Sequence, residues 1–463
     1  MSERGGLGAD TFDVVILGGG SGGYSCALRS AQLGMSVALV EQDKLGGTCL
    51  HRGCIPTKAL LHAAEVADSA REARAVGIDA QFIGVDMAAF ATFKSGVVDR
   101  LYQGLQGLIR SGGITLVTGT GRLAGGTAVQ VGDKIFRGRN LVLATGSKPR
   151  SLPGVEIGGR VVTSTEALDL MHVPDSVVVI GGSVIGVEFA STWRSLGAAV
   201  TLVEALPGLV PLEDPSLGKK LERAFRKRGI AVQTNARVRK VSQTEHRAEV
   251  ALEDGTVLDA DLVLVAVGRG PNSAGLGLES HGVQTDREWV VTDDRLRTSV
   301  PNLWAVGDLV PGLQLAHRGF AHGMFVAEEI AGLRPALVAD AQIPRVTYCE
   351  PEVASVGLTE PQARDLHGDG VEVTEYNLAG NGKSQILGTA GGVKLVAVKG
   401  GPIVGVHMIG ARMGEQIGEA ALLVNWEATA EDTGMYVHAH PTQNEALGEA
   451  ALALAGRPLH THG

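Results

Sequence analysis

The sequence predicts an α/β chain: two doubly wound parallel-sheet domains followed by a C-terminal α+β domain. Three observations predict it. Two strand–glycine turn–helix units recur 163 residues apart, the first opening at Gly18 and the second at Gly181. Glycine supplies 65 of the 463 residues while aromatics supply 4%, which suits tight turns and close backbone approaches better than a β-sandwich. From about Tyr348 the pattern changes to short β runs and amphipathic helices near residues 415–427 and 445–455. The expected division is 1–150 and 274–347 for a discontinuous first domain, 151–273 for the second and 348–463 for the third.

Charge and composition exclude several classes. The net charge is −9 and no basic run is present, which argues against nucleic acid as a partner. The first dozen residues lack the charged-then-apolar build of a signal peptide. Apolar runs such as 176–190 are broken by glycine and glutamate, so no segment reads as a membrane span. Four cysteines in such a chain are no secreted disulfide framework. A cytoplasmic protein is expected, and in a reducing cytosol a close cysteine pair is catalytic or metal-binding more often than structural.

Residues 12–17 form an apolar, β-branched run, read as a buried parallel strand. Gly18, Gly20 and Gly23 then fit G-x-G-x-x-G, an alanine-rich helical stretch runs to about Gly34, and a second strand, 37–40, ends at Glu41. The first glycine makes the turn, the second admits a pyrophosphate to the backbone, and the third lets helix pack on strand. Glu41, 18 residues beyond Gly23, is placed to accept hydrogen bonds from a ribose diol. This is a Rossmann-like dinucleotide-binding unit. The same residues match G-x-S-x-G, the elbow of α/β-hydrolases, but that reading explains neither Glu41 nor the cysteines that follow.

Those cysteines are Cys49 and Cys54, within residues 46–58. Five residues apart on a regular helix, their Cα atoms would be roughly 8–9 Å apart, whereas a disulfide needs less than about 7 Å. They can bond only across a loop or a distorted first turn, for which Gly53 supplies freedom, and Pro56 suits the start of a helix through Lys58. Thiols at such a helix N-terminus are expected to have lowered pKa values. Zinc would usually want a second pair of ligands, and His51 and His62 have the wrong spacing. Cys26 and Cys349 have no sequence partner and read as inert core thiols.

A second Rossmann-like unit follows. A strand at 176–180 leads into a turn with Gly181, Ser183, Ile185 and Gly186, then a helix, and a strand at 200–203 ending at Glu204, again 18 residues past the last motif glycine. A carboxylate there binds a 2′-hydroxyl and repels a 2′-phosphate, and no arginine cluster follows it, so NAD is favoured over NADP.

The stretch Gly46-Gly47-Thr48-Cys49, Gly53-Cys54-Ile55-Pro56-Thr57-Lys58 resembles the redox-disulfide motif of the flavoprotein disulfide reductases, the class I pyridine nucleotide-disulfide oxidoreductases. Among them it most resembles the dihydrolipoamide dehydrogenases, from about residue 10 to the C-terminus. The resemblance implies FAD at the first unit, beside a redox-active Cys49–Cys54 disulfide, and NAD at the second. It implies that Gly47, Thr48, Lys58, Gly121, Thr145, Gly146, Ser147, Asp308, Gln314, Leu315, Ala316 and His317 touch FAD, Asp308 through the ribityl chain. Val238 and Gly268 are counted with the nicotinamide site.

It also implies that the C-terminal domain makes an obligate homodimer. His440 and Glu445, in His438-Ala439-His440-Pro441-Thr442-Gln443-Asn444-Glu445, match the family's base and its orienting carboxylate, acting on the active site of the partner subunit. A neutral imidazole suits this task, because a thiol must lose a proton before it attacks a disulfide. His438 reads as structural. The implied reaction oxidises dihydrolipoamide through Cys49, passes electrons from Cys54 to FAD and delivers hydride to NAD⁺. Lys58 would stabilise a thiolate there, and Glu188 would pair with Lys58. The implied partners are lipoyl domains of 2-oxoacid dehydrogenase or glycine cleavage complexes. Glutathione, trypanothione and mercuric reductases share the core motif. The first two would normally use NADPH, and the third would end in a cysteine pair where this chain ends His-Thr-His-Gly. A flavin-binding assembly subunit is the alternative outside that class.

Three positions depart from the family pattern. Ser183 stands where glycine is usual, close to the expected pyrophosphate. His51-Arg52 replaces Asn-Val and is expected to add positive charge near the cysteines. His322 stands where Glu or Gln is common.

Overall fold

The structure is a computed structural model that describes residues 11–460. The chain forms two compact units, one from the residues up to Ala59, Ala91–Pro149 and Arg269–Asp340, the other from Leu60–Phe90, Arg150–Gly268 and the chain from Ala341 on.

The first unit is built on a seven-stranded sheet. Thr115–Thr118, Val37–Glu41, Thr11–Leu17 and Lys134–Leu143 pair in parallel in that order. Two antiparallel strands, Ala128–Val131 and Gly121–Leu123, extend one side. Val14, Val15, Ile16, Leu39 and Val40 are fully buried, as a parallel strand covered on both faces requires. Leu303–Ala305 pairs in parallel with Lys134–Leu143, so a segment far along the chain completes the first sheet. The helix Ser21–Gln32 packs against Ala316–Ile330 so closely that a Cβ on Gly323 would lie 2.2 Å from Ser25 Oγ.

The second unit repeats the first unit's opening. Its five-stranded parallel sheet has the order Ala231–Gln233, Ala199–Val203, Ser176–Ile180, Leu262–Val265, Val161–Val162. Leu17 is in register with Val40, and Ile180 with Val203, so both glycine turns and both strand-end glutamates leave the same sheet edge. A three-stranded meander follows, then an antiparallel C-terminal sheet of five strands ordered Arg345–Thr347, Glu352–Gly357, Ile403–Gly410, Gly392–Val398, Val371–Asn377. Helices Met413–Asn425 and Glu445–Leu454 cover that sheet through Ile417, Ala420, Leu447 and Ala450.

The stretch after the cysteines divides into Cys54–Glu72, a 3₁₀ turn Ala73–Val76 that Gly77 ends at φ +82°, and Met87–Ser111. The helix after the second glycine turn starts at Val184, ahead of Glu188. Ion pairs join the start of the helix Pro215–Lys227 to the C-terminal sheet. Lys394 donates to Asp214 at 2.9 Å and reaches Glu360 at 2.8 Å, and Arg345 pairs with Glu213 at 3.2 Å. No described helix is long and apolar enough to cross a membrane.

Candidate active site

Both glycine turns have the geometry that an anion-binding helix end needs. Gly18 N–H donates to Val40 C=O and Gly181 N–H to Val203 C=O, each at 2.8 Å. A Cβ on Gly23 would sit 1.8 Å from Gly18 O, and one on Gly186 would sit 1.8 Å from Gly181 O, so only glycine lets helix and turn meet there. The helices Ser21–Gln32 and Val184–Leu196 have no side-chain cap at their N-termini. Their first-turn N–H groups therefore remain for a ligand.

The strand-end carboxylates are held rigidly. Glu41 accepts from Gly19 N–H (2.7 Å) and Asp43 N–H (2.8 Å). Glu204 accepts from Gly182 N–H (2.6 Å) and Leu206 N–H (2.7 Å). Ser183, at φ −84°, ψ −176°, has nearly the backbone of Gly20, at φ −74°, ψ −170°. A Cβ at Gly20 would meet only Gly47 Cα, at 4.0 Å. Serine therefore leaves this turn's shape unaltered, and its hydroxyl makes no cap bond.

The cysteine loop is docked on the first turn. Gly46 N–H donates to Gly19 C=O at 2.8 Å, and Gly47 lies so close to Gly20 that a Cβ would be 2.8 Å from its Cα. Cys49 is inside the short helix Gly47–Arg52, the chain breaks at Gly53, and Cys54 opens Cys54–Glu72. The interruption brings the two sulfurs together as free thiols that share a hydrogen bond. Thr48 is exposed and Lys58 half-buried.

The lowered thiol pKa expected from sequence is not found at Cys49. The hydrogen bond with Cys54, then burial, then repulsion from charge on Cys54 push Cys49 well above the ordinary thiol range, while Lys58 pulls the other way. A helix end favours one thiolate, but a paired neighbour opposes the second. The positive charge expected at His51-Arg52 is also largely cancelled. Arg52 is ion-paired with Asp43. His51 Nε2 bonds Leu45 C=O at 2.8 Å, its ring edge-on to Tyr102.

Two residues near the thiols escaped the sequence reading. Burial and the two cysteines push the Tyr24 hydroxyl up to about 12. Arg269 donates from Nε to Ser147 Oγ (2.8 Å) and from Nη2 to Ser147 C=O (2.7 Å), and Ser147 Oγ–H donates to Asp308 (2.6 Å). Burial lowers the Arg269 pKa, while Asp308 and Cys54 oppose that shift. The signal was present in Gly268-Arg269-Gly270-Pro271-Asn272, of which only Gly268 was singled out. Thr145 Oγ1 donates to Asn272 C=O at 2.8 Å, and Asn272 N–H donates to Gly146 C=O at 2.8 Å, so this run shapes the whole 145–147 loop.

Among the other candidates, Gly121 is buried, and a Cβ there would strike Leu17, Val40 and Val129. Gln314 Nε2 is buried without a partner among the described residues, as a site shaped for a ligand acceptor requires. Leu315 precedes the helix that opens with Ala316 and the exposed His317. Ile185 is half-buried in the first turn of its helix, Val238 packs on the core of the second unit, and Gly268 takes φ +103°. Glu188 is 3% exposed and accepts Tyr348 N–H at 2.9 Å.

The C-terminal pair is formed as expected from the motif. His440 Nδ1 bonds Glu445 Oε1 at 2.7 Å, and Thr442 N–H donates to Glu445 Oε2 at 2.7 Å. Burial acts to raise the Glu445 carboxyl, but the Thr442 N–H and His440 outweigh it and hold it below the usual range. The His440 side chain is 77% exposed. His438, by contrast, is buried against Glu419 at 2.7 Å, in space left by Gly448. Cys26 and Cys349 are fully buried, and burial pushes the Cys26 thiol up to about 12.

Comparison with known proteins identifies the family. Residues 12–323 match the family profile described as pyridine nucleotide-disulphide oxidoreductase, and residues 343–451 match that family's dimerisation domain. A dihydrolipoyl dehydrogenase of Bacillus subtilis is 39% identical over 98% of this chain and 100% of its own length. The mitochondrial dihydrolipoyl dehydrogenase 1 of Arabidopsis thaliana is 38% identical over 98% of this chain and 92% of its own. The crystal structure of LpdA from Mycobacterium tuberculosis superposes with a TM-score of 0.88 at 25% identity, over 95% of this chain and 99% of LpdA. With both parts of the profile matched in order and relatives aligned end to end, the chain belongs to the pyridine nucleotide-disulphide oxidoreductases.

Proposed function

We infer that the chain is an NAD-dependent flavoprotein that oxidises dihydrolipoamide to lipoamide, acting as a homodimer through its C-terminal domain. The observation that carries the reading is the dithiol of Cys49 and Cys54 docked on a glycine turn, in a chain that also holds the His440–Glu445 pair. The residues present fit FAD at the first turn: an uncapped helix end, the fixed Glu41 carboxylate, and Gln314 Nε2 lacking an acceptor. Gly18, Gly20, Gly23, Glu41 and Asp308 would hold it, and Gly181, Ser183, Gly186 and Glu204 would hold NAD. When bound, these groups supply two-electron acceptance from a dithiol and hydride transfer.

The chain's own residues do the thiol chemistry. In the oxidised enzyme Cys49 and Cys54 form a disulfide. His440 Nε2 takes a proton from one thiol of dihydrolipoamide, while Glu445 fixes the ring through Nδ1–H. The thiolate attacks Cys49, giving a mixed disulfide and releasing Cys54 as thiolate. The second substrate thiol then attacks its partner sulfur, passes its proton to the departing Cys49 sulfur and closes the lipoyl ring. Two electrons and two protons thus leave the substrate: one proton rests on Cys49, the other on His440, and Cys54 is left as the thiolate. Lys58 and Arg269 would balance that charge. Because His440 is so exposed on its own chain, we assign it to the dithiol of the partner protomer. The domain division that goes with this reading is 1–150 with 274–347, 151–273 and 348–463, supported by Leu303–Ala305 joining the first sheet. Lipoyl domains of a 2-oxoacid dehydrogenase or glycine cleavage complex are the proposed protein substrates, in the cytoplasm.

The test is steady-state turnover of the purified yellow protein, with dihydrolipoamide and NAD⁺ in one assay and oxidised glutathione and NADPH in another. Turnover in the first alone is expected. Turnover in the second alone overturns both the substrate and the nucleotide assignment.

A further inference from the structure

We propose that His322 is a positioning residue for the flavin: as a neutral imidazole it accepts the Gly307 N–H and, with Arg318, clamps the turn that aims Asp308. This role rests on the flavin reading above and extends it to a residue that no motif assigned.

The clamp is visible from both sides of one peptide. On the helix Ala316–Ile330, residues 318 and 322 lie one turn apart on one face. His322 Nδ1 accepts from Gly307 N–H at 3.3 Å, and Arg318 Nη1 donates to Gly307 C=O at 3.4 Å. Arg318 is itself fixed by Asp340 (2.6 Å) and Pro311 C=O (2.6 Å). Gly307 takes φ +67°, and Asp308, the next residue, accepts the Ser147 hydroxyl. The imidazole thus acts on Asp308 through the turn and touches no reacting atom.

The arrangement requires the neutral ring. A protonated imidazole has two donors and no acceptor, so it would face Gly307 N–H donor to donor. The charges facing it disfavour that form: Arg318 lies one helical turn away, opposed by Asp340, and the side chain is only 2% exposed. On the packed helix Ser21–Gln32, Arg29 is tied to Glu328, and that helix has no acidic residue in its first turn. Burial, then Arg318, lower the His322 pKa to about 4. The helix has little room to move away on protonation, because Gly323 is already closed against Ser25 and Gly22. A glutamine at this position would give the same acceptor without a titrating proton. The chain has therefore a flavin clamp that acid opens.

The experiment uses holoenzyme of the wild type, His322→Gln and His322→Leu. Released flavin is read by fluorescence after gel filtration at pH values from neutral to about 3.5, with far-UV circular dichroism followed on the same samples. At neutral pH the Leu variant is expected to hold flavin about ten-fold more weakly, the cost of one unsatisfied buried N–H, and the Gln variant to match the wild type within about threefold. On acidification the wild type should release flavin before its helical signal falls, and the Gln variant only together with it. Equal retention by Leu and wild type at neutral pH, or coincident acid release by wild type and Gln, overturns the role of His322. If the Leu variant does not fold, the acid comparison of wild type with Gln decides alone. Failure of the wild type to bind FAD at all would overturn the flavin reading itself.

Discussion

Replacing Glu445 by glutamine should damage catalysis more than its near-isosteric shape suggests. The carboxylate accepts two hydrogen bonds, from Thr442 N–H and from His440, each at 2.7 Å. A glutamine can satisfy the Thr442 N–H only with its carbonyl oxygen, which turns its NH₂ towards the imidazole. His440 Nδ1 must then accept, and the ring proton moves to Nε2, the atom proposed as base. The electrostatic loss adds to this. At roughly 4 Å between charge centres, a carboxylate stabilises an imidazolium by about 1 kcal/mol in full water and about 4 kcal/mol at the screening usual near a protein surface. The exposed side chain of the single chain lies toward the low figure, and covering it in a dimer moves it upward. Loss of a positioned base costs about 10²–10⁴-fold in rate, so dihydrolipoamide turnover by Glu445→Gln should fall at least about 10²-fold. Glu445→Ala should fall less, because its imidazole stays free to choose the productive tautomer. The assay is kcat for dihydrolipoamide with NAD⁺, set against NADH-driven reduction of an artificial dye, which bypasses the dithiol step. Turnover within twofold of wild type for the Gln variant, or an equal fall in the dye reaction, would refute this reasoning.

Three further outcomes are expected. Cys49→Ser should abolish dihydrolipoamide oxidation while the protein stays yellow; residual turnover above about 1% of wild type, measured at substrate saturation, would move the exchange role elsewhere. Gly186→Ala should lose NAD binding without losing flavin, since its Cβ would meet Gly181 O at 1.8 Å in the second turn only; calorimetric NAD⁺ titration beside the flavin absorbance checks both halves. Lys394→Met should destabilise the second unit by about 3–5 kcal/mol, the usual cost of orphaning a buried carboxylate, because Asp214 is 1% exposed and Lys394 8%. Urea unfolding followed by circular dichroism measures it. Burial acts to raise the Asp214 carboxyl, but the Ser216 hydroxyl, Lys394 and the Glu360 N–H hold it well below its ordinary value. Such a depressed group stabilises the fold above about pH 4 and loses that contribution as pH falls through its folded value. The Lys394→Met protein should therefore show a flatter decline of stability in acid.

Periodicity and turn chemistry made much of the fold legible. Residues 14–17 and 177–180 are short, β-branched apolar runs that lead straight into a glycine turn, and length, branching and the glycine together mark them as buried strands. The His440–Glu445 pair was legible for another reason: a resemblance to the family's motif pointed to it, and its two members are only five residues apart. Arg269 was not, because its partners Ser147 and Asp308 are 122 and 39 residues away and meet it only through strand pairing. The Cys49 pKa was misread because a helix-end rule concerns one thiol, whereas two sulfurs in contact titrate together. Arg52 was misread similarly, since its neutralising partner Asp43 lies on a loop with no periodic signal.

The paired turns also show why NAD discrimination can rest on a single side chain. Glu204 is 8% exposed, and both of its carboxylate oxygens are fixed, one by Gly182 N–H and one by Leu206 N–H. A flexible surface glutamate could swing away from an added 2′-phosphate and lose little. A carboxylate locked by two backbone donors cannot do so without leaving both N–H groups unpaired, which costs on the order of 1–3 kcal/mol each. A 2′-phosphate would therefore meet either a fixed negative charge or a broken turn, and the broken turn is the one that Gly181 and Gly186 shape, proposed above to hold the pyrophosphate. On the proposed assignment of NAD to this turn, nucleotide choice and phosphate binding would be coupled through the backbone of residues 181–186. Ser183 belongs to that same backbone and matches the conformation of Gly20, so the serine leaves the coupling intact and adds a hydroxyl beside it.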